Sequence, residues 1–122
     1  MKYKTSELIG GYLDSAVAEA IGLTYYRIER VGHPMDRNQS AVCWIKGLEI
    51  QFAPSLSWQQ GGPIVERERI RLCPDTDGWL ADVVTDRRCD NKQTDFARGS
   101  TALIAGMRAL VASKLGEDVE LQ

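Results

Sequence analysis

Three groups of side chains in this chain have the types and spacing to hold a ligand. The first is Trp58 with Gly61, Gly62 and Pro63, inside residues 54–68. A tryptophan packed with two glycines and a proline predicts a tight bend ahead of a short helical turn, with Pro63 suited to the first position of that turn. Backbone N–H groups left free there, beside an indole wall, can receive an anion or a planar ring. The plainer reading is a turn whose tryptophan fills the core, because large aromatics are usually buried for packing.

The second group is Arg67, Arg69 and Arg71. At alternate positions of an extended strand all three would leave one face, and their paired guanidinium donors would suit phosphate. A solvated strand face neutralised by nearby carboxylates competes with this, and the stripe breaks up if residues 63–68 are helical. The third is Arg108, next to Met107 at the edge of an apolar stripe. It can pair with a carboxylate, for which Glu66 is the attractive partner, reach a pocket, or lay its stem over the core edge.

Other chemistry is poorly supplied. His33 is the one histidine and lies in the loop motif Gly32-His33-Pro34 without an ordered nucleophile in its vicinity. Asp75, Asp77 and Gly78 echo the start of a calcium loop, but the later ligands and the closing glutamate are missing, so a turn between two strands explains them better. Cys43, Cys73 and Cys89 are odd in number and far apart, which reads as reduced thiols rather than disulfides or zinc ligands. Cys89, between Asp86 and Asp90, has a neighbourhood that disfavours a thiolate. Glu66 and Glu68 are paired carboxylates with no partner visible in sequence. No nucleophile elbow, phosphate loop or zinc motif is present, so no catalytic residue, metal or cofactor is expected.

Composition narrows the setting. The 122 residues are 43% hydrophobic and 26% charged with a formal net charge of -2, an ordinary globular balance expected to make one domain over residues 1–122. No positive field exists to gather nucleic acid or an anionic membrane. Residues 1–7 lack the apolar run of a leader, and no stretch approaches the ~20 apolar residues of a membrane span. A cytoplasmic protein is the expectation.

Two helices must carry these side chains. Ile9, Leu13, Ala16, Val17, Ala20 and Ile21 recur at three- and four-residue spacing, after a cap at Ser6 or Thr5 and before a stop at Gly22. Leu103, Ile104, Met107, Leu110, Val111 and Leu115 give a second stripe over residues 101–115, with Ser100 as cap and Gly116 as terminator. Between them, residues 23–28, 41–45, 48–52, 70–72 and 79–84 read as strands. The Gly32–Asn38 stretch reads as a loop between the first two strands, residues 74–78 as a turn, and residues 87–98 as a polar loop. The fold class is α+β: two amphipathic helices packed on one face of a small, mainly antiparallel sheet.

Three segments carry a family resemblance. They are Leu13-Asp14-Ser15-Ala16-Val17-Ala18-Glu19-Ala20, the Ser55 to Glu68 run around Trp58, and Ala102 to Gly116 with its Met107-Arg108 pair. Together, and in this order, they resemble the phage NinX-like family of tailed phages and bacterial prophages. The chain departs from it at residues 98–102, where members often show Gly-Pro-Thr-Pro, and matches poorly over residues 32–51. The resemblance implies a phage or prophage accessory protein and does not imply a reaction.

The ligand-binding set predicted from sequence is therefore Trp58, Gly61, Gly62, Pro63, Glu66, Arg67, Arg69 and Arg108. The expected partner is a small anionic or nucleotide-like host molecule that the protein sequesters without chemistry, in a counter-defence role. The alternative is a module that binds a host or phage protein, and either form is compatible with a homo-oligomer.

Overall fold

Both apolar stripes build helices, but neither helix starts where its cap was expected. In the computed structural model, which describes residues 2–23, 26–31, 40–47, 50–84 and 96–120, Thr5–Glu7 form a 3-10 turn and the first helix, α1, is Gly10–Ala20. Its N-cap is Ile9, which is extended and offers no side-chain cap. The Thr5 hydroxyl is engaged elsewhere: Oγ1 donates to the Gly116 carbonyl at 2.7 Å, and Thr5 N–H donates to Glu117 O at 2.8 Å. These bonds lie beside an antiparallel ladder between β1 (Lys2–Lys4) and β8 (Asp118–Glu120), two strands that sequence patterning missed. With three residues each, they are too short to show alternation.

The remaining strands form two three-stranded antiparallel sheets. β2 (Tyr26–Val31), β3 (Ser40–Ile45) and β4 (Ile50–Gln51) make one; β5 (Ile70–Asp75), β6 (Gly78–Val83) and β7 (Ala97–Gly99) make the other. The expected turn after β5 is a tight one, with Asp75 Oδ1 accepting from Thr76 N–H at 2.8 Å and Asp75 paired with Gly78. β7 lies at the end of the segment read as a polar loop. It is an edge strand, placed by pairing Ala97 and Arg98 with Ala81 and Leu80, and its one apolar contact row is too short to register in sequence. His33 with the loop 32–38, and Cys89 with Asp86 and Asp90, lie outside the described residues.

The class is α+β as expected, but three small antiparallel sheets and a third helix replace a single sheet under two helices. The cause is the last helix, α3 (Ala102–Leu115). Thr101 rather than Ser100 caps it, its hydroxyl accepting from Ile104 N–H at 3.1 Å. Beyond the expected stripe, Ala102, Ala105, Gly106 and Ala109 are also buried. Small residues widen the apolar surface of a helix without adding to a stripe of large side chains. Helix α3 therefore packs on α1 at one side and on β5, β6 and β7 at another, and the buried side chains join in one cluster around Leu13, Val17, Met107, Leu110 and Val111. Among the described residues no helix is long and apolar enough to cross a membrane.

The third helix, α2 (Trp58–Arg67), fills the segment expected to hold only a short turn. Pro63 is its sixth residue, not its first, and so removes one intrahelical bond. A residue before proline normally resists the helical region because its Cβ meets the proline ring; Gly62 has none, which explains how the helix runs through. Gly61 has a different reason. A Cβ there would strike the Pro54 carbonyl and stand 2.7 Å from Leu103 Cδ2, so the glycine lets α2 close on α3. After α2, Arg69 takes the left-handed conformation, φ 54°, which a side chain disfavours.

Gly61→Ala should lower the unfolding free energy by roughly 1–3 kcal/mol, the usual effect of overpacking. Arg69→Gly should raise it by up to about 1 kcal/mol through relief of the left-handed strain. Urea denaturation of both variants checks this, and equal effects would contradict the assigned roles.

Candidate functional site

The Trp58 corner is built from α1 outward. β4 leads into residues 52–57, and Phe52 N–H donates to the Cys43 carbonyl at 2.8 Å. The Gln60 carboxamide then holds the chain on both sides: Oε1 accepts from Ala53 N–H at 2.6 Å, and Nε2 donates to Gln51 O at 2.9 Å. Beneath them the buried carboxylate of Asp14 accepts from Ser55 N–H at 2.9 Å. Fixed in this way, the turn delivers Trp58 to the surface, 56% exposed beside Leu56 at 67%. A groove of about 350 Å³ runs along them, closed by Trp79 and by Thr101 to Leu103 at the start of α3. The core-filling reading of Trp58 is therefore not what the fold adopts.

A second and larger recess, about 840 Å³, lies along the C-terminal half of α3. The 3-10 turn, β6 and β7 form its sides, and Arg108 lines it. The guanidinium is half-buried: Nε donates to the Leu8 carbonyl and Nη1 to the Arg98 carbonyl, each at 2.8 Å. No ion pair among the described residues includes Arg108. Burial pushes its pKa below the usual arginine value, although a guanidinium remains charged at any physiological pH. Three of its five N–H groups are left without a partner among the described residues. On the recess wall, Phe96 is 38% exposed and the Arg71 guanidinium sits 5.7 Å from its ring centroid.

The eight residues singled out from sequence thus separate. Trp58 borders the first recess and Arg108 the second. Gly61 is buried against Pro54 and Leu103, while Gly62 and Pro63 lie within α2 and line neither recess. Glu66, Arg67 and Arg69 are exposed and also line neither. The proposed Arg108–Glu66 pair does not form, because Arg108 reaches two carbonyls instead. The arginine stripe is broken as well: Arg67 ends α2 and lies 3.4 Å from Glu68, Arg69 is left-handed, and Arg71 in β5 holds Asp82 with bonds of 2.9 and 2.7 Å. Helical geometry up to Arg67 removes the common face that alternation required.

Two positioning residues went unrecognised in sequence, Asp14 and Gln60. Both sit inside the segments that carry the family resemblance. The one signal for Asp14 is a carboxylate adjoining the apolar stripe of α1, and it is 2% exposed. Desolvation by burial lifts its pKa from 3.8 to about 6, opposed by the Ser55 N–H hydrogen bond that favours the anion. Burial also raises the pKa of the nearby Cys43 thiol.

Fold and recesses define a small α+β protein with two solvent-open hollows, one at the start of α3 and one along its C-terminal half. The family model described as Bacteriophage P22, NinX matches residues 4–114, and the chain belongs to that family. Membership marks it as a phage accessory protein. No curated protein matches the chain.

Because the folded-state pKa of Asp14 lies above its unfolded value, the folded protein binds the extra proton between pH 4 and 6, and stability from this group falls as pH rises through that window. Asp14→Asn keeps an acceptor for Ser55 N–H and does not titrate. The stability of this variant relative to wild type should therefore rise by the order of 3 kcal/mol between pH 4 and pH 8. Urea titrations at the two pH values measure the difference, and a constant gap would contradict the assignment.

Proposed function

We propose that this phage accessory protein captures a small anionic or nucleotide-like host molecule without chemical conversion, in the recess that Arg108 lines. The observation that carries the reading is Arg108 itself. It is a half-buried cation held by two carbonyls, in no ion pair among the described residues, and beside a recess of ligand size. A cation desolvated in this way and pinned by neutral acceptors keeps most of its attraction for an incoming anion. The exposed part of the Phe96 ring offers apolar area to a planar group. Sequestration of a host signal is the biological role that suits a phage product with this site.

The Trp58 groove favours a second reading, a protein-docking surface. Leu56 and Trp58 are large, apolar and more than half exposed beside a narrow groove, and tryptophan is prominent among residues that dominate protein interfaces. One stoichiometric host protein retained from lysate by wild type and by an Arg108 variant, and lost with Trp58→Ala, would favour this reading over the first.

A nucleotide panel at low ionic strength tests the ligand reading. Wild type should melt higher with a bound nucleotide, by the mass-action stabilisation that any native-state ligand gives. Arg108→Lys should weaken binding at least tenfold, since an ammonium cannot hold both carbonyls and still present a planar fork. Arg98→Gln, altered at an exposed side chain, should fold normally and bind a few-fold less tightly. No thermal shift across the panel, or unchanged affinity in Arg108→Lys, would overturn the reading.

A further inference from the structure

The groove beside Trp58 is lined by hydrogen-bond donors that find no acceptor within the protein. Thr101 caps α3 and accounts for two of its leading N–H groups: its hydroxyl accepts from Ile104 N–H at 3.1 Å and its carbonyl from Ala105 N–H at 3.0 Å. The N–H groups of Ala102 and Leu103 precede the first intrahelical bond and reach no acceptor among the described residues. Both residues are buried, and both line the groove. Ser55 lines it as well. This serine is 1% exposed, and its Oγ has no hydrogen-bond partner among the described residues, although its N–H is held by Asp14. Buried donors left in this state are rare in native proteins.

The electrostatics of the place call for a negative group. The positive end of a 14-residue helix lies at the groove. Helices commonly meet that end with Asp or Glu in their first turn, but the first turn of α3 is Ala102, Leu103 and Ile104, without an acidic side chain. A carboxylate arriving from outside can accept from the Ala102 and Leu103 N–H groups as a helix's own capping carboxylate would. The Ser55 hydroxyl, whose proton rotates to suit an acceptor, is a third donor for it. Leu56 and Trp58 border the same groove and are each more than half exposed. That is more apolar area than a free carboxylate covers, and a large side chain next to the acid would cover it.

Resting on the docking reading of this groove, we infer that α3 takes its missing first-turn carboxylate from a partner protein: an Asp or Glu side chain that stands beside a large apolar residue in an exposed segment of that partner.

A library of fluorescent hexapeptides randomised at the two central positions, selected on the full chain, tests this. Retained peptides should pair Asp or Glu with Phe, Trp, Leu or Ile, and exchange of the acid for its amide should weaken binding about tenfold in fluorescence polarisation, since the acceptor loses its charge. Ala102→Pro deletes one donor at the first helical position, which proline favours, behind a Thr101 already extended at φ -126° and ψ 160°. Ser55→Ala removes an unpartnered hydroxyl. Both variants should fold as wild type does and bind the selected peptides several-fold less tightly. Retention of apolar peptides without an acid, or wild-type affinity in either variant, would overturn the carboxylate inference and leave the docking reading standing. Absence of any peptide binding at millimolar concentration would overturn both.

Discussion

Burial of α3 on most of its circumference is the constraint from which the rest of the structure follows. A helix that presents Leu103, Met107, Leu110 and Val111 on one side and Ala102, Ala105, Gly106 and Ala109 around it needs apolar partners in several directions. One flat sheet cannot supply them. Helix α1, the β5–β6–β7 sheet and the terminal β1–β8 ladder with its 3-10 turn do so as separate pieces. The hollows of the molecule open where these pieces meet along α3 without closing completely.

The same burial determines the behaviour of Arg108. On a solvated helix an arginine would extend into water; here its stem leaves a covered helix, and its head satisfies carbonyls of Leu8 and Arg98 that come from elements 100 and 10 residues away. The guanidinium thereby ties the entry to α1 to the β7 edge. It remains cationic while half-buried, where solvent screens it less than on an open surface. In the proposed capture role this structural tie would also receive the anion, so both roles would share the same hydrogen-bond geometry.

At the opposite end of α3, polarity is used to hold backbone rather than to face solvent. Asp14 accepts from Ser55 N–H, Gln60 bridges Gln51 and Ala53, and Gly61 admits the Pro54 carbonyl. An unsatisfied backbone group buried in this turn would destabilise it by about 1–3 kcal/mol, so a carboxylate is kept inside despite its desolvation. The consequence is an outward tryptophan on a rigid mount. Its exposure follows from the clamp beneath it, not from the polarity of its neighbours in sequence.

Periodicity by itself determined α1, α3, the β5–β6 hairpin with its Asp75–Gly78 turn, and the α+β class, because local patterns of large apolar residues fix which face an element must bury. Sequence also marked Trp58 and Arg108 as unusual, and the three segments that place the chain among NinX proteins. Tertiary structure alone decided that Trp58 and Arg108 serve different recesses, that Arg67, Arg69 and Arg71 share no face, and that Asp14 lies under the Trp58 turn. It also decided that the termini pair as β1 and β8. The arginines part because α2 runs on to Arg67 and Arg69 is left-handed; the others depend on contacts between residues tens of positions apart, and spacing along one segment carries no information about which distant carbonyl or amide will arrive beside it.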